Sequence, residues 1–499
     1  MKRRLALTLV WAVLACDDPG GPGGPALALQ ILSPTTSDAI HDLDPLTLVG
    51  EVGASDLGLL PDDSIWWTHD GTPVGTGRRV EFRAVAGRHR IGLHARYGRR
   101  SDSTESEIDV AADGLGRLLW SVPLDTNTAA TLAFDPAGIL HAMDNDLWGR
   151  HVAVAIGVDG SLRWRVETGL ASQKSPPAIG PDGAQYYGYW IGPAGGPENK
   201  AGGVLVLNPD GTRRWAFIAA ENAPPGGGNY DAHGGVALDP TGVIYVATEE
   251  QDFPFYAIHA DGTLRWRAPS GNNNEFYSYT TLLADSLLAT FGRRDAMTVV
   301  GADDGLLRWS APVRGSFCLL APAVGADGTV YVPDPAGRIT AYSASGGLLW
   351  DRPLPTGVSL GSPVVGRDRI YLAASNGGVM VLSLGGDPAA TWGPAPAGFF
   401  HDGITLAANG VVYVAIRDTL LSYDAGGNRR FAVSIPHRLP SQCSDAQGGP
   451  VIGPDGTVYL RASDFGVMAF RDTVGPAIDA PWPTLQGNFQ RTGRRATDQ

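Results

Sequence analysis

The sequence predicts an all-β chain: an eight-bladed β-propeller preceded by a small β-sandwich. Three observations lead there. A turn-plus-Trp motif returns eight times at a spacing near forty residues, a strand-turn-strand motif ending in Tyr returns between its copies, and the residues ahead of them alternate apolar and polar with period two. Composition agrees, because 67 Gly and 37 Pro among 499 residues favour turn-rich β structure while staying below the level of a disordered chain. The net charge is -13 with 38 Lys+Arg against 51 Asp+Glu. Such a chain offers phosphates no counterion-releasing surface, so nucleic acid is not an expected partner.

The N-terminus sets the compartment. Lys2, Arg3 and Arg4 precede an apolar run from Leu5 to Ala15, too short to span a ~30 Å hydrocarbon core but suited to a secretory signal. Val13-Leu14-Ala15-Cys16 resembles the bacterial lipobox. That resemblance implies that residues 1–15 are a lipoprotein signal peptide and that Cys16 is lipidated. Residues 16–25, with Asp17, Asp18 and an all-Gly/Pro stretch to Pro25, form a tether that can bury nothing. The expected location is the bacterial cell envelope, periplasmic or at the outer surface, with membrane attachment through the N-terminal lipid. Cys318 and Cys443 are the remaining cysteines, and their separation alone does not decide whether they pair.

Residues 26–112 carry short alternating runs, among them Ser64-Ile65-Trp66-Trp67-Thr68 and His89-Arg90-Ile91-Gly92-Leu93, with turns at Asp70-Gly71 and Ala86-Gly87. These predict a β-sandwich. The segments around Trp67 and His89 resemble bacterial Ig-like or PKD-like modules, which implies a spacer or adhesion role. Trp67 is expected in the inter-sheet core. His69, His89 and His94 read as surface or strand-face residues, not metal ligands.

Residues 113–499 hold the repeat. The first motif runs from Gly116-Arg117-Leu118-Leu119-Trp120 through Asp159-Gly160-Ser161-Leu162-Arg163-Trp164, Asp210-Gly211-Thr212-Arg213-Arg214-Trp215 and Asp261-Gly262-Thr263-Leu264-Arg265-Trp266 to copies ending at Trp309, Trp350, Trp392 and Phe431. The aromatic positions are 44, 51, 51, 43, 41, 42 and 39 residues apart. The second motif is clearest at Pro322-Ala323-Val324-Gly325-Ala326-Asp327-Gly328 leading to Tyr331, and at Pro450-Val451-Ile452-Gly453-Pro454-Asp455-Gly456 leading to Tyr459. Four strands per period make a propeller blade, and no segment shows the 3.6-residue apolar spacing of a helical solenoid. Trp120, Trp164, Trp215, Trp266, Trp309, Trp350 and Trp392 are expected to pack between blades. The chain begins with a Trp strand, Leu118 to Val122, that lacks its three partners, and ends with three strands that lack a Trp strand. The first strand should therefore complete the last blade.

The copies Asp-Gly-Thr-Leu-Arg-Trp and Pro-Ala-Val-Gly-Ala-Asp-Gly-Thr-Val-Tyr resemble the PQQ-like propeller repeats of quinoprotein alcohol dehydrogenases and of BamB-type assembly lipoproteins. The tail Pro481-Trp482-Pro483-Thr484-Leu485-Gln486-Gly487-Asn488, with Arg491-Thr492-Gly493-Arg494, is similar to a segment common in such propellers. Quinoproteins of this family hold PQQ against a vicinal Cys-Cys disulfide with Ca²⁺ beside it. This chain has no adjacent cysteines, so no catalytic or PQQ-binding residue carries over. The resemblance thus implies no cofactor and a non-catalytic binding or scaffolding module for envelope proteins. A PQQ/Ca²⁺-dependent oxidoreductase is the alternative, and surface glycan binding a second one.

Where the innermost strands begin, the register places Ala129, Lys174, His233, Leu319, Leu360, His401 and Gln447 around one mouth of the channel, with Asp231, Asp402, Asp445, Tyr277 and Tyr279 nearby. Lys174, Asp231, His233, His401, Asp402, Asp445 and Gln447 form the candidate funnel site, suited to a divalent metal or a polar ligand. A hydrated polar wall is the plainer account of the same residues. Asp144-Asn145-Asp146, Glu249-Glu250-Gln251-Asp252 and Asn272-Asn273-Asn274-Glu275 lack EF-hand register and read as solvated loops.

Overall fold

Period-two patterning in the first part of the chain resolves into two sheets. A computed structural model describes residues 26–35, 40–41, 46–82, 84, 87–111, 115–124, 132–145, 151–168, 177–190, 202–222, 232, 234–248, 255–269, 279–283, 286–292, 296–313, 321–334, 337–354, 362–373, 378–394, 403–416, 419–435, 449–462 and 466–495. The chain divides into units Met1–Gly114 and Leu115–Gln499. In the first unit, Ala28–Ser33, Gly58–Leu59 and Arg79–Phe82 all pair with Leu46–Ala54. The second sheet runs Ile40–His41, Arg100–Ala111, Gly87–Tyr97, Ile65–His69, Thr72–Thr76. Alternate side chains of both sheets meet in one core, where Leu48, Val52, Ile65, Trp67, Ile91 and Leu93 are fully buried. The Trp67 indole N–H donates to Gly77 O at 2.9 Å, so the largest core residue leaves no polar atom unpaired.

The described residues of the second unit form eight four-stranded antiparallel sheets. Sheet I contains Ala133–Phe134, Leu140–Asn145, His151–Ile156 and Leu162–Glu167. Sheets II to VII follow over residues 178–218, 237–268, 281–312, 323–353, 364–392 and 404–434. Sheet VIII contains Val451–Ile452, Val458–Ala462 and Gly466–Phe470, and its fourth strand is Leu118–Val122 from the start of the unit. The pairing is antiparallel, with Leu118 opposite Phe470 and Val122 opposite Val467. Sequence order required this closure, and it removes the open edge a linear array would keep.

The Asp-Gly-Thr-Leu-Arg-Trp motif has a physical reason at each position. Asp210 Oδ1 accepts the Thr212 N–H at 2.9 Å and the Thr212 hydroxyl at 2.6 Å, which fixes the turn before the outer strand. Asp159 with Ser161 and Asp261 with Thr263 repeat the arrangement. Gly211 has φ +84°, and a Cβ built there would lie 2.9 Å from the Trp164 ring of the preceding sheet. Glycine is thus required twice, for the backbone and for the ring that lies on it. The indole N–H of that same ring donates to Pro209 O at 2.9 Å.

This contact runs from sheet to sheet. Trp120, Trp215, Trp266, Trp309 and Trp350 donate to Val158, Ala260, Ala302, Ala344 and Leu384 carbonyls of the following sheet. Trp392 lies against Gly427, and Phe431 of sheet VII lies against Gly116, which leads into the outer strand of sheet VIII. Since Trp120 of sheet VIII packs on Gly160 of sheet I, the series of contacts returns to its start.

Two predictions follow from these turns. Gly211→Ala should lower stability by ~3 kcal/mol, combining strain with overpacking. Gly138→Ala, where φ is +78° but no atom lies within 4 Å of the new methyl, should lose only about 1 kcal/mol. Urea midpoints of the full chain compare the two, and equal losses would count against the ring-on-glycine contact. The second prediction concerns acid. The hydroxyls of Ser161, Thr212 and Thr263 hold the carboxyls of Asp159, Asp210 and Asp261 below the ordinary 3.8. Their folded pKa values are depressed, so their contribution is present above the ordinary carboxylate range and lost as pH falls through it. The melting temperature should stay level down to about pH 5 and drop below about pH 4, and converting all three to Asn should make that drop shallower.

Candidate functional site

The inner strand of each sheet is an edge, and its outward-facing N–H groups point at the common axis, where each needs a partner. These strands are short, two residues in sheets I, II, III, V, VI and VIII. Pro177, Pro322, Pro363 and Pro450 come just before four of them and present no N–H there. The partners come from the end of the chain. Phe489 O accepts the Phe134 N–H at 3.2 Å, Gln490 O accepts Ile179 N–H at 2.8 Å, Thr492 O accepts Leu238 N–H at 2.8 Å, and Gly493 O accepts Leu282 N–H at 2.6 Å. On the far side, Trp482 exchanges both backbone bonds with Val365, and Pro483 O accepts Leu406 N–H at 2.8 Å. Sheets I, II, III, IV, VI and VII are therefore joined to one tail, and Arg495 donates to Ala326 O of sheet V at 3.0 Å.

The tail is held in shape by its own side chains. Asn488 donates to the Thr492 hydroxyl at 2.6 Å and accepts the Thr492 N–H at 3.1 Å. Gln486 and Arg491 have φ of 56° and 58°, values an ordinary residue keeps only when its surroundings hold it there. At the centre, Arg491 is fully buried. Its guanidinium donates to Leu132 O at 3.2 Å, Thr484 Oγ1 at 2.9 Å, Leu485 O at 2.7 Å and Gly449 O at 3.3 Å. Leu132 precedes sheet I and Gly449 precedes sheet VIII, so this cation bridges the first and last sheets. Among the described residues no carboxylate pairs with it. Burial lowers its pKa to about 10, which leaves it charged at neutral pH.

Around Arg491 lie buried polar atoms with no partner among the described residues: both amide atoms of Gln486, the Tyr279 hydroxyl and the Trp482 indole N–H. The Gln486 amide approaches the Gly235 backbone so closely that a Cβ there would lie 2.2 Å from Nε2. This floor carries a positive charge and unfilled hydrogen-bond capacity, and chemically it can take ordered water or the polar end of a ligand. At the opposite, turn end of the inner strands, a pocket of about 290 Å³ lies between sheets I and VIII and the tail, lined mainly by apolar groups of Phe134, Pro136, Ile452, Pro454, Ile478 and Phe489.

The candidate funnel residues Lys174, Asp231, His233, His401, Asp402, Asp445 and Gln447 lie outside the described residues, as do Ala129, Tyr277, Leu319, Leu360, Cys16, Cys318 and Cys443. Tyr279 alone of that set is described, and it reaches the floor. Among the described residues of the second unit, no three His, Cys, Asp or Glu side chains converge at metal-ligand distance. Arg491, Thr484, Gln486 and Trp482 of the tail are all buried. Sequence reading picked out the tail only by resemblance. It did not see the tail's place on the axis, which no periodicity marks.

With this geometry in view, comparison with known proteins is decisive for the family. The family described as outer membrane protein assembly factor BamB (PQQ_2) matches residues 200–430 and 293–478, together more than half of the chain. The chain belongs to this family. BamB of Moraxella catarrhalis is similar in fold, with TM-score 0.53 and 11% identity over 72% of this chain and 100% of that one. The C-terminal WD40 domain of Sif2 is similar at TM-score 0.53 and 14% identity, covering 73% of this chain and 99% of that one. The computationally designed Ika8 protein gives TM-score 0.52 and 14% identity over 72% and 100%. A search of curated protein sequences finds no match. These likenesses establish the β-propeller for this member of the BamB family.

A prediction tests the axis. Arg491→Met should cost about 3–5 kcal/mol, because four buried acceptors lose their donor at once. Removing residues 475–499 should abolish cooperative unfolding of the second unit, whereas Arg491→Met should leave it cooperative but weaker. Denaturation followed by Trp fluorescence distinguishes these outcomes.

Proposed function

We propose that the protein is a lipid-anchored bacterial envelope lipoprotein whose eight-bladed propeller serves as a non-catalytic binding or scaffolding surface, carried behind an Ig-like module. The observation that carries this reading is the tail itself, whose backbone carbonyls meet inner-strand N–H groups of six sheets. The family description adds an assembly role in the outer membrane for its named member, and the Cys16 sequence context adds the anchor. Among the described residues no helix is long and apolar enough to cross a membrane. Eight sheets joined head to tail by the Trp and Phe contacts support the blade number, and two sheets on one core support the sandwich.

The strand directions support a place for partners to dock. The tight turns, several of them Asp-Gly, join strands one to two and, in sheets I to VII, strands three to four, so they gather on one face. The remaining connections start and finish at the opposite face, and they include the sequence positions of Lys174, His233, His401 and Gln447. That face is the proposed binding face, with envelope proteins as partners.

Expression in a bacterial host with a fatty-acid analogue tests the anchor: label and membrane association should appear in the wild type and disappear in Cys16→Ala. Cross-linked pull-down from detergent-solubilised envelope should recover defined protein partners, and combined Lys174→Ala, His401→Ala and Asp402→Ala should reduce recovery several-fold. Saturable dye-linked alcohol oxidation by the purified chain supplied with PQQ and Ca²⁺ would overturn the non-catalytic reading.

A further inference from the structure

In the first unit, two histidines twenty residues apart in sequence meet at one end of the core. His69 ends the strand Ile65–His69, on the same face as the buried Ile65 and Trp67. His89 lies on Gly87–Tyr97, on the same face as the buried Ile91 and Leu93. The register places His69 opposite Ile91, two residues from His89, so the two rings come side by side with centroids 4.7 Å apart. Both therefore extend the core-facing side of their strands instead of the solvent side. The His89 side chain is 8% exposed and that of His69 22%. His94, by contrast, bonds Thr68 and stacks on Trp66, on the other face of the sheet.

Asp70 completes the group. It occupies the first position of the two-residue Asp70-Gly71 hairpin turn, where φ of 47° and 80° suit the type I′ geometry. Its backbone N–H donates to Arg90 O at 2.9 Å, and its Oδ1 accepts the Arg90 N–H at 2.8 Å. The carboxylate is thus clamped by one oxygen while the other, Oδ2, faces the imidazoles. Such support for a ligand's free oxygen is the usual outer-shell arrangement of a metal site.

Three donor atoms then form a triangle. His69 Nε2 to His89 Nδ1 is 3.0 Å, His89 Nδ1 to Asp70 Oδ2 is 2.8 Å, and His69 Nε2 to Asp70 Oδ2 is 3.4 Å. Each of the two ring nitrogens carries at most one proton, so linear N–H hydrogen bonds can serve at most two of the triangle's three sides. A tetrahedral zinc ion with bonds of about 2.0–2.2 Å sets its ligand atoms ~3.3 Å apart. The three observed separations lie close to that spacing.

We propose that His69, His89 and Asp70 form a Zn²⁺ site that ties the hairpin turn to the strand Gly87–Tyr97. The half-exposed Asp70 side chain leaves a solvent-facing fourth position for water, completing a three-ligand site. Two nitrogens and one oxygen suit zinc, whereas Ca²⁺ needs six to eight oxygens. The site stands apart from the reading of the propeller, since every residue in it belongs to the first unit.

The test uses the full chain, stripped with a chelator and titrated with ZnCl₂ by calorimetry. The wild type should bind one equivalent with micromolar or tighter affinity, and Co²⁺ should give the intense visible spectrum of a tetrahedral site. His69→Gln and His89→Gln should weaken binding at least a hundredfold. Asp70→Asn should weaken it about tenfold while keeping the turn, because Asn-Gly also suits type I′ and the amide oxygen can still accept from Arg90. Circular dichroism and thermal melting of each metal-free variant identify a misfolded one. Absence of saturable one-to-one binding in the wild type overturns the proposal, as does unchanged affinity in Asp70→Asn together with His69→Gln.

Discussion

A ring of sheets turns its innermost edges toward one line, and every N–H on those edges must find an acceptor there. Water can do this in a wide channel. Here the chain does it with its own last residues, whose carbonyls meet Phe134, Ile179, Leu238, Leu282, Val365 and Leu406 in turn. A segment that satisfies backbone donors on six sheets cannot follow any one of them as a regular strand, and its turns at Gln486, Gly487, Arg491 and Gly493, all with positive φ, are the result. At the tail's centre, its own Leu485 carbonyl meets those of Leu132 and Gly449, which lead into the first and last sheets. Arg491 is placed among them, and its five-donor fork answers several acceptors with one side chain.

The outer part of the ring follows a different rule. Each junction between neighbouring sheets needs an interlock, and the indole supplies area for the wedge and an N–H for the next turn's carbonyl. The glycine beneath it allows the close approach. At the junction of sheets VII and VIII the aromatic is Phe431, which has no N–H. There Arg430 of sheet VII makes a bidentate pair with the buried Asp472, which follows sheet VIII, at 2.6 and 2.8 Å. Burial opposes the charge on Arg430, but its bonds to Asp472 prevail and its pKa is raised. The polar connection missing from the aromatic is thus made by an ion pair between the same two parts of the chain.

These two rules explain what the sequence could reveal. Wedge and turn use the same residues at each repeat, so the Asp-Gly-Thr-x-x-Trp copies could be read by eye, and the unpaired first strand gave away its pairing with Gly466–Phe470. The tail contacts are made mainly to backbone N–H groups, which every residue but proline has, so nothing in the inner strands announces their partner. Arg491 stood out in the sequence only as part of the Arg491-Thr492-Gly493-Arg494 tail segment, with nothing to mark its place among buried carbonyls. The histidine pair was missed for a related reason: His69 and His89 become neighbours only through the register of two strands, and that register comes from the core packing of Trp67, Ile91 and Leu93, not from spacing along the chain.

The unequal spacing of the repeats carries one more consequence. The sheets are alike in strand number, yet the aromatic positions stand from 39 to 51 residues apart. The two longest periods, from Trp164 to Trp215 and from Trp215 to Trp266, contain the long connection from Trp190 to Gly202 and the one from Asn222 towards Ala237. The described residues that flank them, Trp190, Gly202 and Asn222, lie on the side opposite the Asp-Gly turns. Turns that must present a glycine to a neighbouring indole cannot change length without breaking the interlock, whereas connections on the other side carry no such duty. The length differences between repeats thus fall outside the turns that pack on the indoles, on the side proposed for partners.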